Sequence, residues 1–335
     1  MTTKKNRPTL QDIADQVGVT KMTVSRYLRD PSKVSPNVGE KIDQVVKELG
    51  YVANRVSDIL SKSKSHSIGV LLPSLTNQVF DHVLRGIEGV IEPLGYQAMI
   101  AHYGYGKHTE EKRIEILLGY NVDGIILSES YHTERSKKIL SASGIPIVEI
   151  MDSVSTPIQQ AVGINNVKES EDATNILISR GKKKIVYLAA RMDERTKQKI
   201  HGYEMAVDAA NLDSMVVTTM ESSSYTLGAT LLKRAQQEYG EIDGICCTND
   251  DIAIGALCEC IRQGIKVPQQ IAIVGFHGQD IYSAMSPTLA TVVTPREQIG
   301  KVAAEQLMQR IQHPETPVTE KIINFEGKFY YGETV

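Results

Sequence analysis

From Ser67 onward the chain alternates strand-length apolar runs with helix-length stretches, and that rhythm leaves few folds open to it. "SIGVLLPS" precedes a helix at about 78–93, "YQAMIAHY" one at about 109–119, and "VDGIILSE" one at about 133–143. "IPIVEIM" and "QAVGIN" lead to a helix at about 167–180, and "KKIVYLAA", "MVVTTM", "GICCTND" and "IAIVGF" repeat the pattern. Strands separated by helices pair in parallel through right-handed crossovers, the only hand that packs the helix back onto a twisted sheet. About ten such strands suit two doubly wound lobes better than one sheet. Ligands of such sheets bind where loops leave the carboxyl ends of the strands, so informative side chains are expected just after each strand.

The segment before this region has a different character. Residues 1–64 hold 12 Lys and Arg against 7 Asp and Glu, a net +5, while the remainder holds 25 against 33, a net −8. A small basic head on an acidic body suggests that only the head meets a polyanion. Residues 9–49 read as three short helices. Leu10, Ile13, Ala14 and Val17 form one apolar stripe. Gly18 ends that helix, since glycine tolerates the positive φ of a tight turn. Thr20 caps a second helix running to Leu28. Ser35 as N-cap and Pro36 in the first turn start a third, which carries Ile42, Val45, Val46 and Leu49 and closes at Gly50. After it, "ANRVSDIL" has material for two helical turns and "SKSKSHS" is a linker by composition.

In the second helix Val24 and Leu28 face inward, which leaves Lys21, Met22 and Arg26 on one outer side. Two short helices crossing at a glycine turn, with Ala14 small and Val19 buried, make a helix-turn-helix. The N-terminal residues of its second helix lie against base edges in the major groove. Arg26 suits guanine O6 and N7, and Met22 offers an apolar tip to a thymine methyl. Thr23, Ser25 and the helix N-terminus reach phosphates.

"TLQDIADQVGVTKMTVSRYL", followed by "GYVANRVSDIL", "TNDDIAIGAL" and "VPQQIAIVGF", resembles the lactose-repressor (LacI) family over essentially the whole chain. The resemblance implies an α/β protein with an N-terminal all-α helix-turn-helix head. Behind it would come a two-lobed, periplasmic-binding-protein-like core of doubly wound parallel sheets. The implied divisions are a DNA-binding domain at 1–52, a hinge helix and linker at 53–66, and an effector-binding and dimerisation core at 67–335. Within the core, lobe 1 takes about 67–164 and 296–323, and lobe 2 about 165–292 and 324–335. The implied DNA contacts are Thr20, Lys21, Met22, Thr23, Ser25, Arg26, Asn54, Arg55 and Leu60. Leu60 matches the leucine that wedges the minor groove, where unstacking a base step costs a few kcal/mol. A homodimer on near-palindromic double-stranded operator DNA is expected. "YYGETV" carries no leucine heptads of the kind by which some members form tetramers.

By position in the family, the effector cleft takes Ser74, Asn77 and Phe80 after the first strand, and Ser128 and Glu129 after the third. Across it lie Asp152, Arg195, Lys199, Asn249, Asp250 and His277. Asn249 and Asp250 either hold ligand hydroxyls or cap the following helix. Three departures from the common sugar-binding pattern bear on the ligand. "KIHGY" supplies Lys199 where an Arg is common, and "VGFHG" supplies His277 where an Asp is common. "DERT" sets Arg195 four residues before Lys199, on the same helical face. An imidazole in place of a fixed anion, beside two cations, favours an anionic, polyhydroxylated ligand. Together with "LLPSLTNQVF", "AHYGY", "VEIMDS", "CTNDD" and "GFHG", these features resemble the branch that represses gluconate- and idonate-utilisation genes. The implied effector is gluconate or a related sugar acid that releases the operator.

Other classes find little support. "HYGYGKHT" has two glycines but no third, and Walker A, G-x-S-x-G and H-E-x-x-H are missing. The eight histidines are dispersed. Cys246, Cys247, Cys258 and Cys260 form no good chelate and read as buried free thiols. "GKKKI" reads as a solvated lead into a strand. Neither cofactor nor metal is expected, and the chain is not expected to be an enzyme. No run approaches the roughly 20 apolar residues of a membrane span. "MTTKKNRPTL" has no apolar core of a signal peptide behind it, so a cytoplasmic protein without membrane contact is expected. The alternatives are a LacI-type regulator with a different sugar or with a corepressor, and a sugar-acid carrier or enzyme with an incidental N-terminal bundle.

Overall fold

The computed structural model describes residues 7–52 and 64–335, in two units, Met1–Ser65 and His66–Val335. In the first unit, helix α1 (Leu10–Val17) opens on a capping box. The Thr9 hydroxyl accepts from Asp12 N at 3.3 Å, and Asp12 accepts from Thr9 N at 2.7 Å. Gly18, at φ 77°, turns the chain, and the Thr20 hydroxyl caps α2 (Lys21–Arg29) through Thr23 N at 3.2 Å. Helix α3 (Pro36–Leu49) has Pro36 in its first turn and Gly50 at its C-cap. Ser35 occupies the N-cap position, but its hydroxyl makes no capping bond. Ile13, Ala14, Val24 and Ile42 are fully buried at the centre. Val19, expected inside, is half-buried at the edge of that cluster. Tyr27 ties α2 to α3 by donating to Asp43 at 2.7 Å.

The second unit has two six-stranded sheets. The first contains β1 (Ser67–Leu72), β2 (Gln97–His102), β3 (Gly124–Leu127), β4 (Ile147–Ile150), β5 (Ala161–Ile164) and β11 (Ile322–Phe325), all parallel, in the order β11-β5-β4-β3-β1-β2. The second contains β6 (Ile185–Ala190), β7 (Met215–Thr219), β8 (Gly244–Cys247), β9 (Ala272–His277), β10 (Ala290–Val293) and β12 (Lys328–Tyr330), in the order β12-β10-β9-β8-β6-β7. The first five strands of each sheet follow one 2-1-3-4-5 winding, whose switch point lies between the first and third strands. The inner strands β1, β3, β4, β5, β6, β8 and β9 run apolar and buried on both faces because helices cover both.

The helices between strands are α4 (Val79–Ile91), α5 (Lys107–Gly119), α6 (Glu134–Ser143), α7 (Asn166–Ser179), α8 (Glu194–Ala209), α9 (Tyr225–Tyr239) and α10 (Asp250–Arg262). Helix α11 (Arg296–Gln312) returns to the first lobe and crosses α4 closely. A Cβ at Gly86 would land on the Glu297 carbonyl there, so the crossing requires a glycine.

Three short strands beyond those expected complete the sheets: β10, β11 and β12, the last of them antiparallel to β10. The expected lobe boundary at 323/324 falls inside β11. That strand pairs with β5 from Ile322 to Phe325 and so belongs wholly to the first lobe. Cys246, Cys247 and Cys260 are buried thiols, but Cys258 is exposed because its turn of α10 faces outward. Lys182 of "GKKKI" donates to the Pro268 carbonyl at 2.8 Å, while Lys183 and Lys184 are exposed.

Candidate functional site

On α2, Val24 is buried and Leu28 half-buried, which turns Lys21, Met22 and Arg26 to solvent. Met22 is 70% exposed, unusual for an apolar side chain with a core close by. It stands one turn from Arg26, so the two share a face. Ser25 is half-buried, and the Thr23 hydroxyl lies 2.9 Å from that of Thr20, within the cap. The face is cationic with one apolar tip, a chemistry that suits phosphates and base edges. Asn54, Arg55 and Leu60 lie outside the described residues.

In the second unit the carboxyl ends of both sheets open on one cleft. Its inner part is a narrow cavity, whose roughly 330 Å³ of non-atom space includes solvent open at its mouth. The first lobe contributes Asn77, Val79, Phe80, Tyr105 and Met151, and the second Arg191, Asp193, Arg195, Thr196, Lys199, Thr248 and His277. Arg195 and Lys199, four apart on α8, both reach it. The Arg195 guanidinium donates to the Ser128 carbonyl across the cleft at 2.7 Å and lies 5.9 Å from the Phe80 ring. Burial works against its charge, but the carboxylates of Asp193 and Glu129 more than offset that and raise its pKa.

Lys199 is 2% exposed. Its ammonium donates to the Thr248 carbonyl at 3.1 Å, meets His277 Nε2 at 3.0 Å, and sits 3.7 Å above the Phe276 ring. No carboxylate touches it among the described residues. Burial pushes its pKa well below the ordinary lysine value, helped by Arg195 and Arg191 and opposed by Asp193. His277, at φ 96°, ends β9 and is held well below the usual histidine range by burial and by Lys199. It faces Lys199 as a neutral acceptor, with the Thr294 hydroxyl 3.4 Å from Nδ1. Asp193 caps α8 through Thr196 N at 2.9 Å, and Arg195 and Arg191 outweigh burial to lower its pKa. Three cations thus face one carboxylate around the cavity.

Of the residues expected in the cleft, Asn77, Phe80, Arg195, Lys199 and His277 line this cavity, and Ser74 lies outward of Asn77. Ser128 contributes its carbonyl, its hydroxyl being donated to the Leu71 carbonyl at 3.1 Å. Glu129 stands behind Arg195, 3.5 Å from the Tyr103 hydroxyl, and burial raises its pKa. Asp152 bridges the lobes by accepting from Gln198 at 3.0 Å, and hydrogen bonds hold its pKa down against burial. Asn249 caps α10 through Ile252 N at 3.3 Å. Asp250 turns away from the cavity. Its carboxylate accepts from Gln279 N and the Thr291 hydroxyl, both at 2.6 Å, and burial pushes its pKa up to about 7. Neither Asn249 nor Asp250 lines the inner cavity, because capping and these bonds claim their oxygens.

Sequence reasoning passed over Arg191, Asp193, Tyr105 and Thr248. The signal for the first existed: Arg191, Arg195 and Lys199 are spaced by four. Arg191, however, precedes α8 and reaches the cavity from a φ of 70°. Among the described residues, no group of three or more His, Cys, Asp or Glu is placed to hold a metal, and no helix is long and apolar enough to cross a membrane.

Comparison with known proteins bears on both regions. Residues 65–334 match the family described as periplasmic binding proteins and sugar binding domain of LacI family, and residues 9–54 match the bacterial regulatory proteins of the lacI family. The HTH-type transcriptional regulator GntR of Escherichia coli (strain K12) is 53% identical over 92% of this chain and 93% of its own length. The regulator IdnR of the same strain is 41% identical over 99% of this chain and 100% of its own. The crystal structure of a LacI-family transcriptional regulator from Silicibacter pomeroyi superposes with a TM-score of 0.91 at 31% identity, covering 98% of this chain and 99% of that one.

Proposed function

The chain belongs to the LacI family of DNA-binding transcriptional regulators, and from that premise we propose that it is a repressor of sugar-acid catabolic genes, released from its operator by an effector of the gluconate type. One observation carries the choice of ligand: Lys199 is a buried ammonium facing a carbonyl, an imidazole and a phenyl ring, with no carboxylate beside it. Such a charge is costly until a hydrogen-bonded anion joins it, because desolvation of an unpaired ion is worth several kcal/mol. A carboxylate between Lys199 and Arg195 meets that need. Asn77, Thr196 and Asp193 suit the hydroxyls of a polyol chain.

Arg26, Lys21 and Met22 read base edges, while Thr20, Thr23 and Ser25 hold the backbone. The proposal retains Asn54, Arg55 and Leu60 as hinge contacts to DNA. As a homodimer the protein sets two heads on half-sites about one helical turn apart, or a multiple of that spacing. It works in the cytoplasm, where the operator is. Asn77 and Phe80 on one lobe and Lys199 and Arg195 on the other close on the ligand. Closure alters the hinge at 53–66 and weakens DNA binding. Coupling of this kind is typically about 1–3 kcal/mol, and a near-complete switch needs roughly 5.

The test is fluorescence anisotropy on a duplex selected from a random library, at fixed salt, with gluconate titrated in, since salt alone changes affinity steeply. Operator affinity is expected to fall as gluconate rises. No selected sequence at all refutes the regulator, and no response to any sugar acid refutes the effector. Affinity that rises with gluconate refutes release and makes the ligand a corepressor.

A further inference from the structure

The cleft continues past its inner cavity. Asn77, Tyr105 and Arg191 line that cavity and also a wider outer chamber, whose far wall is the run Ser222, Ser223, Ser224 ahead of α9. We propose that the outer chamber is a second anion subsite, so that the preferred effector is a sugar acid with another negative group at the end remote from Lys199. This rests on the effector reading above and extends it.

Arg191 is the first reason. Its side chain is 9% exposed, yet its guanidinium donates no hydrogen bond to any described residue, and its buried Nε has no hydrogen-bond partner, only an ion-pair contact with Asp193. Its neighbours are the Tyr105 ring, 5.1 Å away, and an Asp193 oxygen at 3.8 Å, beyond hydrogen-bond reach. Its φ of 70° is one that a side chain with a Cβ adopts only when the surroundings enforce it. A buried, strained, unsatisfied guanidinium on the wall between two cavities is arranged for an acceptor that arrives with a ligand. The second reason is the far wall. The Ser223 hydroxyl is buried without a partner. Ser224 uses its hydroxyl to cap Leu227 N at 3.1 Å, which leaves the Tyr225 and Thr226 N–H groups at the start of the 15-residue α9 without an intrahelical acceptor. Asp251 also borders the chamber, but Gln279 at 3.1 Å and Asn249 at 3.4 Å already occupy its oxygens. An anion between Arg191 and Ser223 completes what both lack. A carboxylate and a phosphomonoester share this chemistry.

Isothermal titration of the full-length protein with gluconate, glucarate and 6-phosphogluconate separates the cases. At least one doubly charged ligand is expected to bind about tenfold tighter than gluconate or better, as one charge-assisted bond allows. The ligand that does so identifies the second group as carboxylate or phosphate. Ser223→Ala, which touches only the outer chamber, is expected to reduce that preference while leaving gluconate itself within about twofold, and Arg191→Gln, whose side chain also lines the inner cavity, is expected to weaken the doubly charged ligand by a larger factor than gluconate. Equal affinity for all three ligands overturns the second subsite. So does a preference that survives both substitutions, and so does an Arg191→Gln protein that folds but loses gluconate and the doubly charged ligand by the same factor, which assigns Arg191 to the inner site alone. Failure of all three to bind the unmodified protein overturns the effector reading itself, and the subsite with it.

Discussion

Lys199→Met separates a ligand-binding lysine from a structural one, because the two roles predict opposite effects on stability. Methionine nearly matches the lysine in length and removes only the ammonium. The Thr248 carbonyl then loses its partner at 3.1 Å, a penalty of about 1–3 kcal/mol for an unsatisfied buried acceptor. Against this, a charge fully withdrawn from water and lacking a carboxylate disappears, a relief of several kcal/mol. His277 is already held neutral by burial and needs no charged neighbour. The variant is therefore expected to match or exceed the parent in urea denaturation, by up to about 3 kcal/mol, where truncating a buried structural side chain costs about 2–5. Removing one partner of a desolvated charge pair costs about 2–5 kcal/mol of binding, so gluconate affinity should fall roughly 30- to 4,000-fold. Denaturation and calorimetry on the same preparation give both numbers. A protein destabilised by 2 kcal/mol or more that still binds gluconate at the original affinity refutes the reasoning in both halves.

The other predictions address single contacts. Arg26→Ala should lower affinity for the selected operator about 30-fold or more, since a good base contact is worth about 1–3 kcal/mol and a dimer makes it twice, with gluconate binding unchanged. Unaltered operator affinity in anisotropy places Arg26 outside the groove. His132 is buried between Glu110 at 2.8 Å and Glu149 at 3.1 Å, and although burial opposes its charge, those carboxylates raise its pKa from 6.5 to about 9. A group with a raised folded-state pKa stabilises fully below the unfolded value and loses that contribution as pH rises through the folded one. The melting temperature should thus decline between pH 6.5 and about 9, and His132→Gln should melt lower and show no decline of this origin. A parallel decline in the variant excludes His132 as its source. Asp250→Asn should keep gluconate affinity within about twofold, because its oxygens serve Gln279 and Thr291 rather than the cavity. A tenfold loss in calorimetry would put it in contact with ligand.

How much of this was legible depended on how local the cause was. Gly18 and Thr20 act on residues within a few positions, so the turn between the head's first two helices follows from cap and turn chemistry alone. Arg195 and Lys199 were legible as a pair because a helix brings positions four apart together. Arg191 continues that spacing, but from a φ of 70°, and Tyr105 reaches the same cavity from a φ of 62°. No periodicity encodes such backbone. Asn249 and Asp250 adjoin at a helix start. Asp250's inward direction was fixed by Gln279 and Thr291, far along the chain. His132 looked like one of several scattered histidines because Glu110 lies on α5 and Glu149 on β4, which meet only in the tertiary fold. The strands β10 to β12 have only three or four residues each, too few to display an alternation.

Hydrogen bonds between protein groups bridge the cleft directly, and this bears on how an effector acts. Gln198 on α8 donates to Asp152 at 3.0 Å and to the Ser155 hydroxyl at 3.3 Å across the lobes, and Arg195 donates to the Ser128 carbonyl. At the crossover, Arg296 donates to the Gln78 carbonyl of one lobe and the Gly278 carbonyl of the other, both at 2.9 Å. A ligand shifts an equilibrium only by its differential affinity for the two states, so a closed state favoured in advance leaves the ligand less closing work to do. Apparent affinity scales with the fraction of molecules already competent to bind. Gln198 does not line the inner cavity, yet Gln198→Ala removes two of these bridges. Two net hydrogen bonds are worth about 1–3 kcal/mol, so if closure is close to balanced, gluconate affinity should drop roughly 5- to 150-fold with no ligand contact removed. Small-angle scattering should then show a ligand-free core more expanded than the parent's, contracting on gluconate. Unchanged affinity together with an unchanged ligand-free envelope means that the bridges merely accompany closure, and that Lys199 and Arg195 draw the lobes together unaided.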